Sequence, residues 1–175
     1  MNLPLEEYGF YHIYNRANGS EKIFVDADNY RYFMTKYQQY ISPIAETYCY
    51  CLMPNHFHFL VKIKSEKEVR AALAGGGESG VGGSSNAPGL KDLGRLATPG
   101  FKNLGRLADR ADWPLEKVLS KQLSNFFNAY AKAFNKQQKR MGSLFIKNFK
   151  RKRVKDMNYM KNLVQYIHNN PVEAK

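Results

Sequence analysis

The sequence has little cysteine and no long apolar run, and each absence narrows the class of protein. Its two cysteines, Cys49 and Cys51, are separated by one residue, whereas disulfide-rich secreted scaffolds need more cysteines and structural zinc sites need a C-x-x-C or more distant cysteine pair. No run of about eighteen apolar residues is present, so no membrane span is expected. The first ten residues have neither the basic nor the apolar region of a signal peptide. The expected location is therefore cytoplasmic.

Acidic residues are also scarce, and the deficit is concentrated in one segment. The 175 residues include 27 Lys and Arg against 15 Asp and Glu, for a net charge of +12. Ten basic residues and no acidic residue lie between Lys132 and Lys155. Such a cluster is typical of surfaces that bind the phosphate backbone of nucleic acid. The residues expected to contact DNA are Arg16, Lys147, Lys150, Arg151, Lys152, Arg153 and Lys155.

Hydrophobic periodicity predicts a single α+β domain over residues 1–175. Apolar residues make up 43% of the chain, which is enough for a core. Alternation and turn signals predict four strands, and helical spacing predicts four helices. The strands are 9–15, 45–53, 56–63 and 143–154, and the helices are 29–41, 65–73, 114–140 and 156–168. Because the turn Pro54-Asn55 joins two strands, we expect a ferredoxin-like antiparallel sheet with helices packed on one face.

Residues 75–112 differ in composition from the rest of the chain, and we interpret them as a low-complexity insertion. Gly and Ser dominate from Gly75 to Asn86, a composition typical of linkers. An eleven-residue repeat follows, in which 87–97 is echoed by 98–108. A long surface insertion costs little closure entropy, so the domain is expected to tolerate it. A role as a partner-binding arm stays open.

His56-Phe57-His58 is the feature with the most chemical content. Alternate residues of a strand point to one face, so the two imidazoles lie together and can bind one divalent cation. A lone H-x-H is a weak motif, and two structural histidines are the competing interpretation. Tyr130 lies on the apolar stripe of the long helix, a position that by pattern alone favours core packing.

Several further segments, taken in chain order, extend this motif into a recognisable pattern. They are 51–62 (CLMPNHFHFLVK), Tyr14-Asn15-Arg16, 129–135, Gly142 to Phe145 with Phe149-Lys150, and Tyr166 to Pro171. Together they resemble the HUH single-tyrosine transposases, in particular the branch associated with repetitive extragenic palindromes. The resemblance covers residues 8–70 and 115–175, and the insertion departs from it. It implies cleavage and rejoining of single-stranded DNA near hairpins through a 5′-phosphotyrosine intermediate.

The resemblance also implies a metal-dependent site. His56 and His58 would bind Mg²⁺ or Mn²⁺, which polarises the scissile phosphate. Tyr130 would be the nucleophile, with Tyr159 and Tyr166 as fallback candidates. The implied partner is single-stranded or hairpin DNA, with no membrane partner and with a homodimer left open. A catalytically inactive regulator of the same fold that binds hairpin DNA or RNA is the alternative function.

A third metal ligand is expected on the helix that bears the tyrosine. Phe134 lies four residues after Tyr130 and cannot coordinate, so Asn135 is the candidate, because an amide oxygen suits Mg²⁺ or Mn²⁺. Asn128 and Gln122 are alternatives. Surface aromatic residues such as Tyr11 or Tyr48 are candidates for stacking on unpaired bases, although core packing is the more frequent role of such residues.

Overall fold

The computed structural model describes residues 3–74 and 112–173, and this part of the chain forms a four-stranded sheet and four helices. The elements in chain order are β1 (Phe10–Arg16), α1 (Ala27–Tyr40), β2 (Ala45–Met53), β3 (His56–Ile63), α2 (Glu66–Ala74), α3 (Leu115–Gln137), β4 (Lys150–Val154) and α4 (Met157–Glu173). The strand order is β2-β3-β1-β4, and all neighbouring strands are antiparallel. The predicted α+β class with a ferredoxin-like sheet is confirmed. The predicted insertion and its repeat lie outside the described residues, apart from Asp112.

Side-chain caps set the starts of three helices. Asp26 accepts a hydrogen bond from the backbone N–H of Asn29 at 2.8 Å, and Asp156 accepts one from Tyr159 N–H at 2.7 Å. Ser65 and Glu68 bond reciprocally as a capping box before α2. Each cap satisfies backbone donors that the first helical turn leaves free. The caps therefore fix the residues at which α1, α2 and α4 begin.

One face of the sheet, which we call the aromatic face, carries the main core. Phe57 and Phe59 of β3 point to this face and pack against rings from α1 and α3. The ring centroids of Phe33 and Phe126 lie 4.8 Å apart, for example. Val69 of α2 joins the same cluster. Three helices thus cover the aromatic face.

The other face, which we call the histidine face, carries polar residues and a smaller core. The register places His12 and Tyr14 of β1 beside His58 and Leu60 of β3, with Lys150 and Lys152 of β4 opposite β1. Helix α4 crosses this face and packs against Leu60 through Leu163 and Ile167. The expectation that helices pack on one face therefore holds for α1, α2 and α3, whereas α4 covers the opposite face.

Two element boundaries differ from the predicted ones. Strand β4 begins at Lys150 instead of 143, because Asn148 takes a left-handed backbone conformation (φ 62°) that interrupts the extended run. Helix α4 continues through Pro171 to Glu173 instead of stopping at Asn170-Pro171, although Pro171 has no N–H to donate to a carbonyl of the preceding turn. None of the described helices is long and apolar enough to cross a membrane.

Candidate active site on the histidine face

Four side chains from β3 and α4 converge on the histidine face, and we call this group the histidine site. It consists of His56, His58, Tyr166 and Asn170. His56 Nε2 lies 3.3 Å from Asn170 Oδ1. The Tyr166 ring stands edge-on to the His58 ring, with centroids 5.3 Å apart. Tyr166 and Asn170 share one side of α4 because they are four residues apart, so the helix presents a hydroxyl and an amide to the two imidazoles.

His12 supports the site from behind. Its Nε2 lies 2.8 Å from His58 Nδ1 in a hydrogen bond between the two buried rings. The other ring nitrogen, His58 Nε2, is buried without a hydrogen-bond partner among the described residues, and so is Asn170 Nδ2. When His58 Nδ1 donates to His12, the lone pair of His58 Nε2 is left free, which is the tautomer that a metal ligand needs. Two imidazole nitrogens and an amide oxygen form a donor set that suits a divalent cation.

Burial keeps the inner histidines neutral. Desolvation, with smaller contributions from the neighbouring His58 and Lys152, lowers the pKa of His12 to about 4. Desolvation also lowers the pKa of His58 to about 4, with a smaller contribution from His56. Neutral imidazole is the form that binds metal ions. Both rings are therefore in the ligand form at neutral pH without any change of protonation.

A cavity of about 460 Å³ opens onto the histidine site. Its wall includes His56, His58 and Tyr166 together with two cationic side chains, Arg16 and Lys150. Tyr166 is 47% exposed, so a ligand in the cavity can contact its ring and hydroxyl. Cations beside an accessible hydroxyl favour an anionic group such as a phosphodiester.

The structure does not bring Tyr130 to the histidines. Tyr130 lies on the aromatic face, on the opposite side of the sheet, and is 1% exposed. Its ring centroid is 4.8 Å from that of Phe33, and its hydroxyl donates to the carbonyl oxygen of Ile23. Burial raises its pKa far above the ordinary tyrosine value. Tyr130 occupies the core position that the apolar stripe of its helix indicates.

The candidate third ligands on α3 are also remote from the histidines. Asn135 donates to the Gly142 carbonyl oxygen at 2.9 Å and accepts from Arg140 at 2.5 Å. Asn128 is exposed, and Gln122 is buried on α3 with no partner for either amide atom among the described residues. Asn170 of α4, and not a residue of α3, is the amide that lies beside the histidines. Its spacing of four residues from Tyr166 is the feature of the sequence that could have indicated it.

The alternative tyrosine nucleophiles and the candidate stacking residues differ in their position and exposure. Tyr166 lies in the histidine site, whereas the ring of Tyr159, the other fallback candidate, lies under Lys152 Nζ, with 4.9 Å between Nζ and the ring centroid. Tyr11 is fully buried and its hydroxyl donates to the Pro4 carbonyl oxygen, which makes it a core residue. Tyr48 is 52% exposed, so it remains available for stacking.

The basic run of β4 is divided between the two faces by strand alternation. Lys150 and Lys152 are exposed on the histidine face. Arg151 points to the other side, where it lies 3.0 Å from the Glu116 carboxylate and 2.8 Å from the Ser120 hydroxyl. Arg153 pairs with Glu6 at 2.5 Å. Among the described residues neither lysine forms an ion pair, although Lys152 lies over the Tyr159 ring, whereas the two arginines hold protein carboxylates.

The remaining predicted DNA contacts lie at three separate places. Arg16 lines the cavity of the histidine site. Lys147 lines a cleft between α3 and the 142–149 loop. Lys155 lies beside a smaller cavity next to Tyr8 and Phe10. Of the seven predicted contacts, Arg16 and Lys150 are the ones that the structure brings to the histidine site.

Comparison with known proteins shows a relationship at the level of the fold. No protein-family model and no curated protein matches the sequence. Among solved structures, the fold is similar to that of a REP-associated tyrosine transposase bound to a REP hairpin, with a TM-score of 0.53. The similarity covers 99% of this chain and 72% of the other, at 10% sequence identity. At such identity the likeness concerns the arrangement of strands and helices.

Proposed function

We propose that this protein is a single-tyrosine transposase or endonuclease that cleaves and rejoins single-stranded DNA at the histidine site. The observation that carries this proposal is the contact of an accessible tyrosine with the histidine pair: the Tyr166 ring lies 5.3 Å from that of His58. The excess of basic residues supports an anionic substrate. The similar solved structure, a transposase bound to a hairpin, supports DNA as that substrate.

A divalent metal, Mg²⁺ or Mn²⁺, belongs to this proposal. His56, His58 and Asn170 would bind it, with Asn170 in the role first expected of Asn135. Two observations support this set: His58 Nε2 has no partner in the part of the chain that the structure describes, and His56 Nε2 lies 3.3 Å from Asn170 Oδ1. When bound, the metal would polarise the scissile phosphate and stabilise the charge that develops on it. His12 would hold His58 in the tautomer that leaves Nε2 free.

Tyr166 is the nucleophile in this mechanism. Its hydroxyl loses a proton and its oxygen bonds to phosphorus, while the bond from phosphorus to the 3′ oxygen breaks and that oxygen takes up a proton. The strand with the 5′ phosphate stays attached to Tyr166 as a phosphotyrosine ester. A 3′-hydroxyl that later attacks this ester reverses the step and rejoins the DNA. Arg16 and Lys150, on the cavity wall, hold the neighbouring phosphates.

A cleavage assay with two matched tyrosine variants tests the proposal. Oligonucleotides that carry a hairpin from the flanks of the gene, labelled at the 5′ or 3′ end, are incubated with Mg²⁺ or Mn²⁺ and separated on a denaturing gel. We expect a protein–DNA adduct that EDTA abolishes, that Tyr166→Phe lacks and that Tyr130→Phe retains. Each variant removes one hydroxyl, one from each face of the sheet.

The outcomes separate the alternatives. An adduct that persists in Tyr166→Phe and disappears in a folded Tyr130→Phe would overturn the assignment of the nucleophile. Hairpin binding with no adduct in the wild-type protein, with either metal, would instead support the non-catalytic regulator. Circular dichroism of each variant shows whether a loss of adduct comes from loss of the fold.

A further inference from the structure

A group of three aromatic side chains and one lysine lies on the histidine face, at the end of β1 away from the histidine site. Tyr8, Phe10, Tyr48 and Lys62 form this group, which we call the aromatic platform. The Phe10 and Tyr48 ring centroids are 5.0 Å apart at 68°. Lys62 Nζ lies 6.0 Å from the Tyr8 ring centroid and 5.9 Å from that of Phe10. Tyr8 is 58% exposed and Tyr48 is 52% exposed.

The rings of Tyr8 and Tyr48 each lie at an irregularity of the backbone. Tyr8 has a left-handed backbone conformation (φ 60°), which is unfavourable for a bulky side chain. Tyr48 lies at a β-bulge, where the register between β2 and β3 shifts between Thr47 and Cys49. Bulges redirect single side chains and occur often beside functional sites. Because both tyrosine rings remain about half exposed, burial offers little compensation for these distortions.

The chemistry around the platform fits nucleic acid with unpaired bases. Aromatic rings stack on the faces of bases whatever the sequence, and these faces are accessible only where the strand is not paired. Lys62 within the platform and Lys155, which lines a cavity of about 330 Å³ with Tyr8 and Phe10, supply positive charge for phosphates. Rings and cations are thus interleaved in one small area.

We propose that the aromatic platform binds unpaired bases of the same DNA strand whose phosphate lies at the histidine site. The inference rests on the proposed function for the identity of the ligand. Phe10 and Tyr14 are on the same strand and the same face, four residues apart, so the platform lies about 13 Å from the cavity wall. Lys152 lies between them, opposite His12. A single strand can therefore follow the exposed edge of this face from one group to the other.

Binding without cleavage tests the platform, with Tyr50 as a matched control. Tyr50 is on the same strand as Tyr48 and is 51% exposed, but its ring lies against Phe59 on the other side of the sheet. Fluorescence anisotropy with a labelled single-stranded oligonucleotide, in EDTA, gives the affinity. We expect Tyr48→Ala to weaken binding roughly 5- to 10-fold, while Tyr50→Ala binds like the wild type. A 2-aminopurine base should lose fluorescence on binding the wild type and less on binding Tyr48→Ala.

Tyr8→Gly gives a second test, in which weaker binding cannot be attributed to loss of the fold. Glycine adopts φ near 60° without strain, so this variant should melt at a temperature no lower than the wild type while it binds the oligonucleotide several-fold more weakly. Lys62→Ala should instead reduce the slope of affinity against salt by about 0.7. These two variants separate stacking from phosphate contact.

The results distinguish failure of the platform from failure of the proposed function. If the wild type binds single-stranded DNA and both Tyr48→Ala and Tyr8→Gly bind as tightly as Tyr50→Ala, the platform is refuted and the histidine site is unaffected. If the wild type binds no single-stranded DNA at low salt, the proposed function and the platform both fail.

Discussion

The two faces of the sheet are built from alternate residues of the same strands, yet they serve different purposes. On the aromatic face, Tyr130 is enclosed by rings and its hydroxyl is bonded to a backbone oxygen. On the histidine face, Tyr166 is half exposed beside His58, whose buried Nε2 has no partner within residues 3–74 and 112–173. The two tyrosines thus differ in the accessibility of their side chains to a ligand, because their surroundings differ. A reactive group needs an accessible atom and a neighbour with unused bonding capacity, and Tyr166 has both.

The prediction with the largest expected effect compares two adjacent residues of β3, Phe57 in the core of the aromatic face and His58 in the histidine site. Phe57→Ala leaves a cavity in the aromatic face and should lower the free energy of unfolding by about 3–5 kcal/mol. His58→Gln keeps a polar side chain at a buried position that borders the cavity of the histidine site, and it should change that free energy by less than about 1.5 kcal/mol. Urea denaturation in EDTA measures both. Equal losses for the two variants would show that the faces do not differ in structural importance.

The second prediction concerns pH and the histidine face alone. The folded pKa of His12 and of His58 is about 4, against 6.5 for the free side chain. Because the folded pKa is depressed, the neutral form is favoured by folding, and the associated stability is complete above pH 6.5. It is lost as the pH falls from 6.5 towards 4, by about 2–3 kcal/mol for each of the two histidines, since each pKa unit corresponds to about 1.4 kcal/mol.

Urea denaturation between pH 7 and pH 4 in EDTA checks this dependence. His58→Gln should flatten a large part of the decline, because it removes one of the two buried imidazoles. The control is His168→Gln, since His168 lies exposed on α4. The same decline in the wild type and in His58→Gln would contradict the assignment of the acid sensitivity to this pair.

The third prediction compares the two tyrosine hydroxyls in stability instead of activity. Tyr130→Phe leaves the Ile23 carbonyl oxygen without its donor, so it should cost about 1–2 kcal/mol of unfolding free energy. Tyr166→Phe removes a hydroxyl for which no hydrogen bond to the described residues is found, and it should cost less than about 0.5 kcal/mol. Thermal or urea unfolding provides the comparison. A larger loss for Tyr166→Phe would show that this hydroxyl is structural.

The sequence predicts the sheet better than it predicts the site. The bounds of β2 and β3 agree with the predicted 45–53 and 56–63, because alternation and the Pro54-Asn55 turn are local signals. Which helix covers the histidines depends on how the chain crosses from β4 to α4, which is a tertiary property. The resemblance directed attention to Tyr130 on the longest helix, whereas Tyr166 and Asn170 are the residues that reach His56 and His58.

The basic run shows a similar limit. A continuous charge pattern predicts a nucleic-acid surface, but it does not say which cations are already paired within the protein. Strand alternation turns Arg151 and Arg153 towards Glu116 and Glu6. The partners lie far away in sequence, so they become visible only when the fold is known. The start of β4, which sets this alternation, depends on the left-handed Asn148.

The smallest expected effect tests this alternation on three consecutive residues of β4. Lys150→Ala and Lys152→Ala each remove an exposed cation from the histidine face, so each should reduce the slope of log affinity against log salt for single-stranded DNA by about 0.7. Unfolding free energies should change by less than about 0.5 kcal/mol, because neither ammonium group forms an ion pair with the described residues. Arg151→Ala should leave the salt slope unchanged and lower the unfolding free energy by about 1–2 kcal/mol. The reason is that the Arg151 side chain is 6% exposed and binds Glu116 and Ser120. Anisotropy titrations at several salt concentrations measure the slopes, and equal slopes for the lysine and arginine variants would mean that DNA approaches β4 from both faces.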